Sequence, residues 1–524
     1  MSGPQTIARA GLIVSGAFLV SRILGYVRLV VIGNTFPAGP ELDAFFAAFR
    51  LPDLIFQLVA AGALSSALIP IVSALFTTGE AARAWRVVST VINLMLIGLA
   101  VLSVGLFILA PVIVPIITPG FGPAELDRTI ELTRIMLLGP VFLALGAVAT
   151  SVLNAGGRFT AAAMAPIVYN LAIIGAAILL APTMGVVGLA VGVVAGSLGH
   201  LLVQLRPLAR MGFRYQPKIE GDDPEARHAL VLMAPRAIGL GASQITFIVV
   251  TSLATTLGAG AVSDFNFSFA MLQIPLGIIG VPLGIVVLPT LSREAAQGRE
   301  PAFASLLTRA LRLLIYVMVP ISVLTAIVRG PFVEILFGSG KISQEDLDLI
   351  ALTLGYFLIG LTAHALIAVL ARAFYARQDT VTPVVAAVAA VAINTTLAIV
   401  LVGPLGLGGI ALAIAIAAWI EAISLIVVLR RRLPVFPLAG MGRVGLEAAA
   451  ASVAAGGVGV AILQVTGTWF GADPGWFALV VQVTVVGLGF GLVYAAISRA
   501  LRIPELPTIV GVMVDALRRR PGRA

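Results

Sequence analysis

Four arginines lie within stretches of the sequence that are otherwise strongly apolar: Arg22, Arg28, Arg50 and Arg236. An arginine at the centre of a membrane-spanning helix costs about 2.5–3.5 kcal/mol on insertion scales, so each needs a partner or a water-filled cavity. The planar guanidinium binds phosphate oxygens in a bidentate geometry. Arginines retained in apolar segments are therefore candidates for binding an anionic, phosphorylated substrate.

Arg22 and Arg28 lie six residues apart in the first apolar segment, with Gly25 between them. On a helix they point about 120° apart, so both can line a broad cavity but not a narrow seam. We predict that this pair contacts the substrate. The alternative is that Arg28 reaches a membrane interface or pairs with an acidic residue such as Asp43.

Asp43 and Arg50 lie on one helical face about two turns apart, which is too far for a direct ion pair. We expect each to face a cavity or to meet another helix, and both are candidate substrate-binding residues. Pro52 is expected to kink this segment. Arg236 lies near the start of a helix, where a snorkelling position is expected.

Uncharged polar residues inside apolar segments include Asn170 and Gln244, which are further candidates for substrate contact. Hydrogen bonding to a neighbouring helix is the alternative for each of them. Glu421 and Glu447 are candidates for carrying protons or ions, and a paired structural carboxylate is the alternative for each of them. The three histidines have no metal-ligand spacing, and the sequence contains no nucleotide-binding or hydrolase motif. We therefore predict no cofactor, no metal and no enzymatic reaction, and transport would draw on a coupling ion, the membrane potential or the substrate gradient.

The composition indicates that helices in a membrane position these residues. Of 524 residues, 60% are hydrophobic and only 11% are charged, whereas a soluble domain has roughly a quarter charged residues. The apolar runs are continuous over about 20 residues, which favours helices over a β-barrel. We predict an all-α integral membrane protein with about 14 transmembrane helices. The predicted spans are 8–32, 42–75, 87–112, 129–153, 160–181, 185–205, 229–257, 263–290, 308–329, 348–371, 382–402, 407–429, 444–466 and 474–498.

The basic residues alternate along the chain. About 25 of them follow even-numbered spans or lie at the termini, and about four lie in the opposite connections, which is the bias of cytoplasmic loops. We therefore expect both termini in the cytoplasm. The net charge of +9 is explained by topology, so membrane lipids are expected partners and nucleic acid is not.

A weak internal repeat occurs at an offset near 220 residues. Gly39 and Asp43 recur as Gly260 and Asp264, and two further matches follow in the same order. The offset covers six spans, so both copies enter from the same face and form two parallel six-helix lobes. Such lobes typically hold a substrate between them near the middle of the membrane.

The repeat also predicts the domain boundaries. The N-terminal six-helix lobe covers residues 1–206, and 207–228 form a cytoplasmic linker. The C-terminal six-helix lobe covers 229–430, and 431–524 hold two further helices and a basic tail.

Several segments resemble the MurJ (MviN) family, the lipid II flippases of the multidrug/oligosaccharidyl-lipid/polysaccharide exporter superfamily. The most specific are Ser21–Arg28, continuing to Asp43–Pro52, and Phe374–Asp379 followed by Thr382-Pro383. Asn154 to Phe159, Asn170 and Ser243 to Ile245 also match.

The resemblance implies a fourteen-helix flippase of peptidoglycan precursor in the bacterial cytoplasmic membrane. A basic central cavity would take the pyrophosphate-linked glycopeptide headgroup, and a groove at the last two helices would take the polyprenyl tail. Arg22 and Arg28 match the family's cavity arginines, and Asp43 matches an acidic residue near the outer mouth. The sequence leaves the oligomeric state open.

The sequence also departs from the family pattern. The family usually has an arginine in the eighth span, before the proline that is Pro275 here, but this chain reads Phe269-Ala270-Met271-Leu272-Gln273. The family also usually has basic and acidic residues late in the second span, where this chain has Phe56-Gln57 and Ala60-Ala61-Gly62. A flippase for another polyprenyl-linked oligosaccharide and a non-transporting scaffold of a cell-wall complex therefore stay open as alternatives. A drug or cation antiporter is less favoured, because it should have carboxylates rather than arginines in its cavity.

Overall fold

The structure is a computed structural model and describes residues 4–59, 63–220, 223–224, 244–471 and 474–518. Regular structure in these residues is helical, and no strand occurs among them. The helices are α1 (Pro4–Thr35), α2 (Pro40–Ala48), α3 (Arg50–Val59), α4 (Ala63–Thr77), α5 (Ala81–Ile117), α6 (Pro123–Met136), α7 (Leu138–Ala155), α8 (Phe159–Leu179), α9 (Ala181–Met184), α10 (Val186–Ala209), α11 (Gln244–Thr255), α12 (Ala261–Pro275), α13 (Val281–Ala296), α14 (Glu300–Phe337), α15 (Gln344–Ala376), α16 (Val381–Leu405), α17 (Leu407–Arg432), α18 (Leu438–Phe470), α19 (Trp476–Ala500) and α20 (Glu505–Arg518). A π-helical turn, Leu276–Gly280, joins α12 to α13.

Twelve helical segments in the described part of the chain are long and apolar enough to cross a membrane. This confirms the predicted all-α membrane architecture. Two of the fourteen predicted spans are not among the twelve. The span predicted at 42–75 is divided into α2, α3 and α4. The span predicted at 229–257 is described only from residue 244, so the total of fourteen stays a prediction.

The boundary between α2 and α3 has a chemical cause. α2 ends at Ala48 and α3 begins at Arg50. Pro52 has no N–H to donate to the Ala48 carbonyl, and its ring clashes with that carbonyl, four residues earlier in the chain. Phe49 keeps right-handed helical dihedral angles, φ −69° and ψ −22°. Phe49 also keeps both of its helical hydrogen bonds, from its N–H to the Phe45 carbonyl and from the Asp53 N–H to its own carbonyl. The interruption is therefore the missing bond to the Ala48 carbonyl, close to the kink that Pro52 predicts.

The chain divides into two compact units. The first contains Met1–Asn266 and Gly340–Ser343, and the second contains Phe267–Ser339 and Gln344–Ala524. In the first unit α8 packs against α1 and α10, and α7 packs against α4 and α10. In the second unit α15 packs against α14 and α17, while α18 and α19 pack against each other and against α14. The predicted domain boundaries at 206, 228 and 430 stay a prediction.

The internal repeat is visible in the backbone of each unit. Gly185, between α9 and α10, has φ 57° and ψ −141°, and Gly406, between α16 and α17, has φ 56° and ψ −135°. Positive φ values of this kind are readily accessible only to glycine. The same turn therefore recurs about 220 residues later, at the offset that the sequence matches predict.

An extended segment, residues 213–220, follows α10 and lies along the first part of α5; we call it the strap. The side-chain amide of Asn93 donates to the carbonyls of Gln216 and Lys218, both at 3.0 Å, and its oxygen accepts from the Tyr215 hydroxyl at 2.5 Å. The backbone N–H of Gln216 donates to the Ser89 hydroxyl. Polar side chains on α5 thus satisfy backbone groups of a segment that has no helical hydrogen bonds.

Candidate functional site

The two arginines of α1 are both half-buried within the first unit. The Nε atom of Arg22 is buried and has no hydrogen-bond partner in the described part of the chain, and the Tyr26 side chain lies within hydrogen-bonding range of its guanidinium. The Arg28 guanidinium lies over the Tyr169 ring, 5.8 Å from its centroid. Neither arginine takes part in an ion pair among the described residues. Both positive charges therefore lack an acidic partner there, which favours the predicted role in anion binding.

Asn170 joins the helices that carry these groups. Its side-chain amide donates to the carbonyl of Ser21 on α1 at 3.3 Å and to the carbonyl of Pro166 on α8 at 3.0 Å. Pro166 interrupts the helical bonding of α8, so polar groups in this region have room for side-chain partners. The bond to Ser21 joins α8 to α1, and the bond to Pro166 lies within α8. The predicted contact of Asn170 with substrate stays a prediction.

Asp43 is fully buried and lies at the N-terminus of α12. Its carboxylate accepts hydrogen bonds from the backbone N–H of Gly260 at 2.7 Å, the backbone N–H of Ser263 at 2.8 Å and the Ser263 hydroxyl at 2.5 Å. A carboxylate at this position satisfies free N–H groups and interacts favourably with the helix dipole. Asp43 therefore meets another helix, one of the two situations expected for it, and a direct role in substrate binding stays a prediction.

Arg50 is held by three side chains of the same unit. Its Nε donates to the Thr251 hydroxyl at 2.8 Å, its Nη2 donates to the Asn266 side-chain oxygen at 2.9 Å, and its guanidinium lies 5.4 Å from the centroid of the Phe247 ring. These contacts join α3 to α11 and α12. Part of the donor capacity of Arg50 is thus used within the protein.

Two residues that were not selected from the sequence connect these groups. Tyr169 interacts with Arg28, and Asp53 lies within electrostatic range of both Tyr169 and Arg50. The sequence signal for Tyr169 is its position beside Asn170, which is among the residues that resemble the family. Two of the predicted residues, Arg28 and Arg50, are therefore connected electrostatically through Tyr169 and Asp53.

The other selected residues lie apart from these groups. Gln244 is buried at the first described residue of α11, and its role stays a prediction. Glu421 is half-buried in α17, and Glu447 pairs with Arg443 at 2.7 Å. Arg236 lies outside the described residues. Among the described residues, no group of three or more His, Asp and Glu side chains could hold a metal ion.

Comparison with solved structures identifies the fold. An inward-facing MATE-family multidrug resistance transporter of the MOP superfamily matches with a TM-score of 0.65 and 18% identity, covering 79% of this chain and 95% of that chain. A structure described as lipid II flippase MurJ in an inward closed conformation matches with a TM-score of 0.79 and 22% identity, covering 94% and 99%. At these identities the matches show the fold alone, which this chain shares with multi-pass helical membrane proteins.

The sequence comparisons define the family. The model of the family described as "Lipid II flippase MurJ" matches residues 32–476. The lipid II flippase MurJ of Burkholderia cenocepacia is 32% identical over 437 residues, 82% of this chain and 84% of that protein. The probable lipid II flippase MurJ of Vibrio cholerae is 29% identical, covering 80% and 82%. The chain belongs to the MurJ family.

Proposed function

We propose that this protein moves lipid II, a lipid-linked peptidoglycan precursor, from the inner to the outer leaflet of the bacterial cytoplasmic membrane by alternating access. The observation that carries the proposal is the family match over residues 32–476 together with two α1 arginines that have no acidic partner among the described residues. The guanidinium groups of Arg22 and Arg28 would bind the pyrophosphate of the headgroup. The step is transport without covalent chemistry.

The proposed topology places both termini in the cytoplasm. The distribution of basic residues supports this orientation, because Lys and Arg accumulate in cytoplasmic connections. Coupling to an ion or to the membrane potential is part of the proposal. Glu421, a carboxylate in the middle of a spanning helix, is the candidate for such coupling.

A flippase for a different polyprenyl-linked oligosaccharide is the second candidate. The stretch Phe269–Gln273 of α12 supports it, because it contains no arginine before Pro275, where the family usually has one. A headgroup with less negative charge than lipid II would need fewer arginines. The two candidates share the lipid pyrophosphate and differ in the sugar and peptide portion.

The test is rescue of a bacterium whose own lipid II flippase can be switched off. Wild type, Arg22→Ala/Arg28→Ala and Arg22→Lys/Arg28→Lys would be expressed at matched membrane levels, and lipid II accessibility at the outer face would be measured. Arg206→Ala/Arg210→Ala is the matched control, since both arginines are exposed at the end of α10 in the same unit.

We expect wild type and the control to rescue and the alanine pair to lose transport by about 10–100-fold, the range for lost charge-assisted hydrogen bonds. The lysine pair should retain part of the activity, because it keeps the charges without the bidentate geometry. Failure of well-expressed wild type to expose lipid II would contradict the proposal. Rescue that is insensitive to the alanine pair would contradict the role of the arginines.

A further inference from the structure

A cavity of about 760 Å³ lies within the second unit, between α14, α15 and α18. Its walls are mainly apolar and include Val323, Ile327, Leu352 and Val460. Leu352 and Val460 are respectively 48% and 41% exposed, so this apolar surface is open at one side. In a membrane-spanning unit such an opening faces lipid, and none of the residues selected above for transport contributes to it.

A positively charged side chain, Arg329, lines the cavity. The Nη1 atom of Arg329 donates to the Ala326 carbonyl at 3.0 Å, and the Cδ atom of Arg329 lies 3.5 Å from the position that a Cβ on Gly355 would occupy. The small residue on α15 therefore lets the arginine side chain lie across that helix. Arg329 takes part in no ion pair among the described residues, so its remaining N–H groups can bind an anion.

Asp348 lines the same cavity, and Glu334 is linked to it through Gln344. The side-chain amide of Gln344 donates to Asp348 Oδ1 at 3.2 Å and to Glu334 Oε1 at 3.3 Å. Two carboxylates thus share one neutral donor, and neither pairs with a Lys or Arg in the described part of the chain. An ammonium group near Asp348 would be attracted to both.

The charged and apolar groups of the cavity lie at different distances from the joined ends of α14 and α15. At 1.5 Å per residue, Asp348 lies about 6 Å from the start of α15, whereas Arg329 lies about 12 Å and Val323 about 21 Å from the end of α14 at Phe337. These two helix ends are joined by a short connection, so they lie on one side of the membrane. From these helix ends inward come carboxylates, then a guanidinium, then apolar side chains.

This order matches the groups of one kind of lipid. We propose that the cavity binds phosphatidylethanolamine, with its ammonium group at Asp348 and Glu334, its phosphate at Arg329 and one acyl chain along Val323 and Val460. The binding does not depend on the proposed transport function. The assignment to the outer leaflet rests on the proposed topology, in which the α14–α15 connection faces outward.

The volume supports a phospholipid chain over a polyprenyl chain. A methylene group occupies about the volume of a water molecule, roughly 30 Å³, so an acyl chain of about 16 carbons needs roughly 480 Å³. The cavity of about 760 Å³ can hold that chain and part of a headgroup. A polyprenyl chain of about 50 carbons needs roughly twice the available volume, so about half of it would remain outside the cavity, whereas one acyl chain fits completely.

The test is a lipid titration of the purified full chain, followed by native mass spectrometry. The probes are dioleoyl phosphatidylethanolamine, phosphatidylglycerol, which has no amine, and phosphatidylcholine, whose amine is methylated. The variants are Arg329→Gln, Asp348→Asn and Val460→Trp, the last to fill the opening. Glu345→Gln is the control, because Glu345 is exposed on the first turn of α15 and does not line the cavity.

We expect wild type and the control to prefer phosphatidylethanolamine by about tenfold, which corresponds to ~1.4 kcal/mol. Arg329→Gln should weaken all three lipids about tenfold, Asp348→Asn should remove the preference, and Val460→Trp should abolish saturable binding. Equal binding of the three lipids by wild type, or variants that bind as wild type does, would overturn the proposal. Displacement of phosphatidylethanolamine by an equal amount of undecaprenyl phosphate would also overturn it.

The outcome is separable from that of the transport experiment. Lipid binding is measured on purified protein, and thermal unfolding of each variant verifies that it is folded. Saturable binding in a protein that fails to rescue would leave the lipid site intact and contradict only the transport proposal.

Discussion

Replacing Asp43 tests whether this residue is a structural helix cap or a contact for the substrate. Its carboxylate accepts three hydrogen bonds from two residues at the start of α12, with lengths from 2.5 to 2.8 Å, and it is inaccessible to solvent. Asp43→Ala leaves two buried N–H groups without an acceptor. Asp43→Asn keeps one acceptor oxygen but turns an N–H₂ group toward another donor.

The expected loss of stability follows from these contacts. An unsatisfied buried polar group costs about 1–3 kcal/mol, and loss of a helix cap typically costs about 1 kcal/mol. The Ser263 hydroxyl can rotate to another acceptor, so the two N–H groups of Gly260 and Ser263 dominate the sum. We expect Asp43→Ala to destabilise the protein by about 3–5 kcal/mol and Asp43→Asn by about half of that.

The assay is thermal unfolding of the purified protein in detergent, with the fraction unfolded followed by near-ultraviolet circular dichroism. We expect the midpoint to fall by on the order of 5–10 °C in Asp43→Ala. Glu41→Gln, at a solvent-accessible position of the same helix, is the control and should leave the midpoint unchanged, because exposed ion pairs contribute little to stability. An unchanged midpoint in Asp43→Ala with loss of lipid II transport would refute the capping role and favour substrate contact.

Three further changes have defined outcomes. Gln378 has φ 61°, so Gln378→Gly should raise the free energy of unfolding by about 0.5–1 kcal/mol in a thermal or denaturant titration. Burial raises the pKa of Asp379, but hydrogen bonds from Thr382 and Arg432 lower it by more, so the pKa lies below its usual value. Its stabilising effect is therefore present above the unfolded pKa of about 3.9 and is lost as the pH falls through the folded pKa. The midpoint difference between wild type and Asp379→Asn should be constant from about pH 5 to 8 and shrink below about pH 4. Asn93→Leu removes three hydrogen bonds to the strap and should speed proteolysis within residues 213–220 at least several-fold, measured by limited digestion.

Each of these three predictions has a result that would contradict it. A lower midpoint in the glycine variant would mean that the Gln378 side chain stabilises the turn by more than its backbone strain. A midpoint difference that does not shrink as the pH is lowered from about 5 to about 2 would exclude ionised Asp379 as its source. Cleavage of the strap at the wild-type rate would show that other contacts, such as that of Gln216 with Ser89, are sufficient to hold it.

The residues that could do chemistry were predictable from the sequence, but the groups that hold them were not. The charges in α1 could be selected from residue type and spacing, because a charge in an apolar helix is costly wherever its partners are. The partners of Asp43 and Arg50 could not be selected, since they lie more than 200 positions away in the chain. The weak internal repeat singled out one of these partners without indicating the contact. Gly260, whose N–H donates to Asp43, is the repeat counterpart of Gly39.

The family resemblance of the second segment, Phe374–Asp379, is explained by the turn that it forms between α15 and α16. Asp379 accepts hydrogen bonds from the backbone N–H groups of Val381 at 3.1 Å and Thr382 at 3.0 Å, and it also pairs with Arg432. Gln378 takes a left-handed conformation in this turn, and its counterpart in the first unit is Gly157, with φ 70°. A non-glycine residue in that conformation costs on the order of 1 kcal/mol, which the cap formed by Asp379 can offset.

The resemblance to the family in Phe374–Asp379 therefore reflects the turn between α15 and α16, and it is evidence for the fold. The α1 segment is different, because its arginines have no acidic partner among the described residues and packing alone does not account for them. A positive charge that the protein does not neutralise within a membrane span requires an anion or water. The functional part of the family resemblance thus rests on Arg22 and Arg28, and their substitution is the decisive test of transport.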